Sequence, residues 1–443
     1  MSTTEDAGYT PKQKLYVLLI VVSKLIHQLS SFWPCIILPL EGNRRNFSAV
    51  EIGATITSMS IVAWITSAIL SAKFISFGGK KACYYLFVTG SFLYAILNML
   101  IPSAQLFHDN RVFGIIIFVV FSLRGAAQSM YLASVNTIII NEFPNHVQKT
   151  KGIDTEAYTV GSLCSLVVTG FLYKYFGFTV VLLIMGSSQF ICSVFYAILL
   201  PRETQCQEKS KETSSKPVLW DLIKICDIQL TLICHASAYM SLYFMTPIFT
   251  IFLTNQFKIS TAAIGMIGCL PYLSMASFSL IWGKINFNAF WRKICITVAL
   301  ILFFPTSCIT GPDPLLGIEH SLILFCLMFA FGGMLISTNL VLNLGELKHI
   351  AEVNAFDLNS LTVTATISNL LTLYECIGEL IGPLLGGFLE QLFGFERAIA
   401  LGGLILGFCG ALKLLLYFIE SKKIKKCLVG INNENRSLPC ESK

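Results

Sequence analysis

Charge is scarce in this sequence. Only 13% of its 443 residues are Asp, Glu, Lys or Arg, about half the roughly 25% usual in soluble domains. That shortage, with 55% hydrophobic residues, excludes both a soluble globular enzyme and a disordered chain. Paired CxxC spacings are also missing, so no metal or redox motif is legible. The 15 cysteines scatter, and Cys164, Cys192, Cys326 and Cys409 sit inside apolar runs, where cysteine acts as a small hydrophobe. A disulfide-stapled secreted domain is thereby excluded. No Gly-rich phosphate loop or Walker motif occurs, which argues against direct use of ATP.

What is abundant is apolar length. Mean hydropathy is +0.71, and long apolar runs fall near 15–39, 50–72, 82–102, 112–136, 155–175, 179–200, 228–252, 262–283, 294–310, 321–342, 360–392 and 398–419. Each is close to the ~20 residues a helix needs to span a bilayer. Only helices or closed barrels satisfy the backbone in lipid, and runs this long mean helices. The expectation is an all-α membrane protein of twelve transmembrane helices. The 360–392 run exceeds one span, so its start is expected along the membrane surface. The first run is too long for the core of a signal peptide and reads as a retained span.

The longest internal polar stretch, Pro201 to Asp221, lies after six runs and has linker composition. The chain therefore divides into an N-tail (1–14), a six-helix bundle (15–200), a linker (201–224), a second six-helix bundle (225–419) and a basic C-tail (420–443). With the N-terminus in the cytosol, 22 of the 31 Lys and Arg fall on the cytosolic face, six on the other and three within spans. That bias places both termini and the linker in the cytosol.

The halves echo each other. "GSLCSLVVTGFLYKYFGF" from Gly161 and "GELIGPLLGGFLEQLFGF" from Gly378 agree at eight of eighteen positions, at an offset of 217 in the numbering. Gly170 matches Gly387, and both stretches close on Phe-Gly-Phe. Lys81 and Lys293, basic caps after spans 2 and 8, are 212 apart. A parallel repeat of two six-span halves places a substrate site between them near the midplane.

These features resemble the major facilitator superfamily. "LRGAAQ" (Leu123 to Gln128) resembles its span-4 arginine motif, with the glutamine one position off. "NEFPNHVQKTKG", "GFLYKYFGF" and "GPLLGGFLEQLFGFERA" look most like the vesicular amine transporter family, in particular its polyamine-transporter-like branch. The resemblance implies a major facilitator fold and a secondary transporter that exchanges an organic cation for protons. It implies no cofactor, no nucleic-acid partner, a monomer, and a vesicular, endolysosomal or plasma membrane. Of the loop 2–3 motif, Gly78, Lys80 and Lys81 survive; with Arg292 and Lys293 they are the candidate cytosolic gate. Ser165-Leu166 replaces the Gly-Pro of the span-5 antiporter motif, and span 1 offers Lys24 and His27 in place of an aspartate.

A charge deep in a membrane is costly and is a functional candidate by default. The candidate substrate and ion pathway is Lys24, His27, Arg124, His235, Glu375 and Glu379, and each of them also reads as a structural pair or satisfied core group. Arg124 and the Glu375/Glu379 face belong to opposite halves, which suggests pairing between them. Glu375 and Glu379, at i and i+4, are the candidate proton carriers. Lys413 is close enough to the end of span 12 to snorkel. Pro383 is expected to kink span 11. With Gly161, Gly170, Gly382, Gly386 and Gly387 it forms a candidate hinge and close-packing set. The leading reading is a secondary active transporter for a small organic solute. An organic anion carrier, using Lys24 and Arg124, and a non-transporting sensor or chaperone stand beside it.

Overall fold

The computed structural model describes residues 9–143, 147–199, 216–285, 287–312, 317–357 and 361–436, and its regular structure is all helical there. Among the described residues, ten helices are long and apolar enough to cross a bilayer. Another crossing is the bent pair Cys226–Phe244 and Phe249–Phe257, whose axes meet at 43°. One of the ten, Glu156–Leu199, is two crossings in one. Straight, its 44 residues would reach roughly 66 Å, about twice the ~30 Å bilayer core. Instead, the Thr169 hydroxyl reaches the sulfur of Met185, sixteen positions on, at 4.0 Å. The chain reverses at Gly177, whose φ of 71° is open to glycine and costly for other residues.

Helix Ala49–Leu100 also folds back on itself. The Met59 backbone packs on Gly125 while Tyr94 bonds the adjacent Arg124, so its two ends lie side by side. The twelve spans expected from the sequence result. In the first half, span 1 is Pro11–Arg44, span 2 Ala49–Thr66, span 3 Tyr84–Leu106 and span 4 Asn110–Val135; span 5 covers 156–176 and span 6 covers 178–199. In the second half, span 7 is the bent pair, span 8 Thr261–Trp282, span 9 Ala289–Thr310, span 10 Leu322–Val353, span 11 Leu370–Phe393 and span 12 Phe395–Tyr417. Most of the linker, 201–215, and the first eight residues lie outside the described set.

The repeat is visible in the helix ends. Ser48 caps span 2 and Ser260 caps span 8, at an offset of 212. Asp109 caps span 4 and Ser321 caps span 10, again 212 apart. Each side chain accepts a backbone N–H that the first turn leaves unpaired. Gly177 and Gly394, 217 apart, both take positive φ (71° and 80°) and turn spans 5–6 and 11–12. The shared Phe-Gly-Phe thus marks the same hairpin twice.

Two expectations change. The start of the 360–392 run does not lie along a membrane surface: residues from Leu361 on belong to the same helix as span 11. Val363, Ile367 and Leu370 bury against Leu347 and Ile350, because the end of span 10 runs beyond the bilayer-spanning run and offers them an apolar wall. Lys413 does not snorkel. It is 3% exposed, and its Nζ donates to Thr231 Oγ1 of span 7 at 2.9 Å.

The halves meet through spans 2 with 11 and 5 with 8. Thr57 donates to the Leu380 carbonyl at 3.1 Å, and Gly53 lies on the Pro383 backbone. Gly170 and Gly265 bring spans 5 and 8 into backbone contact. These contacts favour the face opposite the N-terminus. At the N-terminal face, each half is instead tied within itself. Tyr16, Tyr84 and Glu142 join spans 1, 3 and 4 by hydroxyl contacts of 2.9 and 3.4 Å. In the second half, Arg292 and Lys293 pair with Glu346 and Asp227 at 3.0 and 3.1 Å.

Candidate functional site

Three groups of charge occupy the middle of the bundle. The first is on span 1. Lys24, 5% exposed, pairs with Asp154 across 3.6 Å and lies 5.7 Å from the Tyr158 ring. Asp154 belongs to the helix leading into span 5 and was not among the sequence candidates. It stands in a polar run beside Lys149, Lys151 and Glu156, where nothing distinguishes a buried carboxylate from a solvated one.

The second group surrounds Arg124, which is fully buried. Its Nη2 donates to the carbonyls of Ser30 (3.2 Å) and Ser31 (3.4 Å) and to the Tyr94 hydroxyl. The guanidinium lies over the rings of Tyr94, Phe121 and Trp33, at 4.6, 5.1 and 5.4 Å. Ser30 and Ser31 end the first segment of span 1, where carbonyls lack helical partners. Arg124 therefore joins the break in span 1 to span 4. Its Nε and Nη1 have no hydrogen-bond partner among the described residues. His27, also fully buried, stacks between Tyr131 (4.3 Å) and Tyr94 (4.4 Å). The expected meeting of Arg124 with Glu375 or Glu379 does not occur. The break in span 1 supplies the nearer acceptors, so the arginine stays inside its own half.

The third group is in the second half. His235 Nε2 donates to Glu375 Oε1 at 3.2 Å, and its Nδ1 accepts from Asn343 at 3.5 Å. His235 is a satisfied bundle histidine that orients Glu375. The Glu375 side chain stays 31% exposed. One turn on, Glu379 lies beside Tyr243, whose hydroxyl is 3.2 Å from that of Tyr158 in the other half. Tyr239 and Tyr272 complete an aromatic wall near the two carboxylates.

The glycines are explained by packing. Gly161 rests on Leu25 and Gln28 of span 1, and its counterpart Gly378 on Ala236 and Tyr239 of span 7. Gly382 and Gly386 continue the span 7 contact, while Gly170 and Gly387 face the opposite half, on spans 8 and 2. A Cβ at any of them would strike backbone or a fixed side chain. Pro383 lies within one continuous helix. It has no N–H for the carbonyl of Glu379, four residues back. Arg292 and Lys293 are held within the second half. The surroundings of Gly78, Lys80 and Lys81 lie outside the described set.

Comparison with known proteins gives the same picture. Residues 20–231 match the family model of the Major Facilitator Superfamily. The chain is thus similar to carriers of the major facilitator type. It is 24% identical over 429 residues to MFS-type transporter SLC18B1 of Homo sapiens, covering 96% of this chain and 91% of that protein. The Rattus norvegicus protein of that name is 23% identical over 446 residues, 99% of this chain and 95% of its own. Among solved structures, a bacterial homologue of the human lysosomal transporter Spinster, inward-facing and unoccupied, superposes with a TM-score of 0.69 at 14% identity, over 92% and 97% of the two chains. The nucleoside transporter NupG gives 0.66 at 14%, over 90% and 99%. These relatives are multi-pass membrane carriers, not enzymes.

Proposed function

We propose that this carrier moves a small organic cation, of amine or polyamine type, by alternating access between its halves. The observation that carries this reading is Glu375 and Glu379 stacked one turn apart beside Tyr158, Tyr239, Tyr243 and Tyr272. The charge of Lys24 is opposed by Asp154, and Arg124 is enclosed in its own half. The net charge facing the space between the halves is thus negative. Carboxylates attract an ammonium, and aromatic faces add cation–π attraction. The resemblance to vesicular amine carriers leads to the same class of solute.

A gradient drives the movement. Glu375 and Glu379 are the proposed proton carriers, because both are carboxylates on one face of span 11 beside the aromatic wall. Both termini are proposed to be cytosolic, which makes the N-terminal face cytosolic and the halves closed on the other side. The observation favouring an organic anion instead is the pair of unpartnered Arg124 nitrogens. Uptake by purified protein in liposomes, with amines, polyamines and carboxylates and an imposed pH gradient, decides between the two. Gradient-driven accumulation of a cation supports the proposal; accumulation of carboxylates alone overturns it.

A further inference from the structure

A cavity of about 80 Å³ lies within the second half, between spans 7, 8, 9, 10 and 12, with Tyr272 of the aromatic wall on its lining. The repeat shows how it arises. Spans 3 and 9 meet spans 6 and 12 in the same register, Gly186 on Ala95 and Met99 and Gly403 on Ser307, so positions correspond across the halves. The first half fills this place with Trp33, Tyr94, Phe121 and Met185, all buried. Their counterparts around the cavity are Met245, Thr306, Gly333 and Gly402. Trp33 packs on Phe121 with ring centroids 5.5 Å apart, where the second half has methionine and glycine.

The wall chemistry defines what fits. Among the described residues, no Asp, Glu, Lys, Arg or His lines the cavity. Its aliphatic hydroxyls are already engaged. Thr306 donates to Leu302, Ser307 to Phe303, Thr310 to Thr306 and Ser241 to Ser237, at 2.7 to 2.9 Å. A charged occupant would find no counter-charge there, and an unpaired buried charge is strongly disfavoured. The volume is roughly half of the ~150 Å³ that takes benzene in an engineered apolar cavity.

We propose that this chamber is a binding site for a small, neutral, apolar molecule of a few heavy atoms, adjoining the central carboxylate site across Tyr272 but lined by no charged side chain. The site is independent of which solute the carrier moves. Thr306→Cys places a thiol in the wall of the full-length protein. Ethyl methanethiosulfonate, neutral and two carbons long, should label it at least about tenfold faster than the trimethylammonium-ethyl reagent, because the latter carries a charge into an uncharged wall. Fragment-ion mass spectrometry separates this label from one on Cys308. Equilibration with xenon should slow the labelling. Gly332→Val should abolish it, since a Cβ at Gly332 meets only Phe303, at 3.7 Å, and fills the space without a clash. Thr310→Cys, one turn on, gives the same reading where Thr306→Cys fails to fold. Equal rates for the two reagents, no labelling at either position, or no effect of xenon and Gly332→Val would overturn the proposal.

Discussion

Lys24 and Asp154 form a buried ion pair, 3.6 Å apart, between span 1 and the helix leading into span 5. Removing one member leaves the other buried without its counter-charge, which costs about 3–5 kcal/mol. Lys24→Ala and Asp154→Ala should therefore each lower the thermal stability of the purified carrier. Lys24→Gln combined with Asp154→Asn should lose less than the two single neutral substitutions together. Melting curves of these proteins test this. Additive losses would show that the two residues are not coupled.

Arg124→Ala should abolish uptake, because it frees the Ser30 and Ser31 carbonyls and the Tyr94 hydroxyl at the break in span 1. Arg124→Lys should not restore it. An ammonium keeps the charge, but it does not reproduce the planar guanidinium's directed donors and its lie over three rings. Wild-type uptake by Arg124→Ala would remove the arginine from the transport cycle.

Glu375→Gln and Glu379→Gln should each impair gradient-driven uptake, while at least one keeps solute exchange at equal pH on both sides. Exchange moves no net proton, so a neutral side chain of the same shape supports it. Glu375 also anchors His235, so Glu379→Gln should preserve exchange better. If both variants accumulate solute as wild type does, proton coupling through span 11 is wrong.

Gly170→Leu should trap or disable the carrier without preventing its insertion. The added side chain would meet the Thr261 carbonyl and the Gly265 backbone, so spans 5 and 8 could not close. Surface amounts near wild type with uptake lost are the expected result. Wild-type uptake would show that this contact is not part of the cycle.

Epitope tags at residue 5, at residue 210 and at the C-terminus should all be reached only after the membrane is permeabilised. Access to the tag at 210 before permeabilisation, with both termini still protected, would break the six-plus-six arrangement.

Much of the architecture is legible in the sequence because it rests on local patterns. Apolar length fixes the spans, and the repeated Phe-Gly-Phe falls on two hairpins that each need a positive φ at glycine. Deep charges such as Arg124 stand out against apolar neighbours. Their partners do not. Asp154 hides in a charged stretch, and Glu346, fully buried against Arg292 and Lys293, lies just past the apolar core of span 10. The acceptors of Arg124 are backbone carbonyls at a helix break, whose one sequence signal is Pro34, which has no N–H for the Ser30 carbonyl four residues back. Lys413 shows the reverse failure. Its distance along span 12 allows a reach to the interface, but Thr231 on a neighbouring span offers a nearer oxygen.

Equivalent positions are offset by 212 at the caps Ser48/Ser260 and Asp109/Ser321, but by 217 at Gly177/Gly394. The second copy is therefore longer by five between span 10 and the hairpin after span 11, and the extra length enters around the connection at the N-terminal face. On the opposite face Asn46 and Lys258, 212 apart, both take positive φ in their turns, as Gly177 and Gly394 do in theirs. The two copies thus differ in length on one side of the membrane and keep two pairs of matching turns on the other. The mouth at the N-terminal face is thus free to be remodelled by insertion, whereas a change in either far-side hairpin must still fit a joint built from two matching parts.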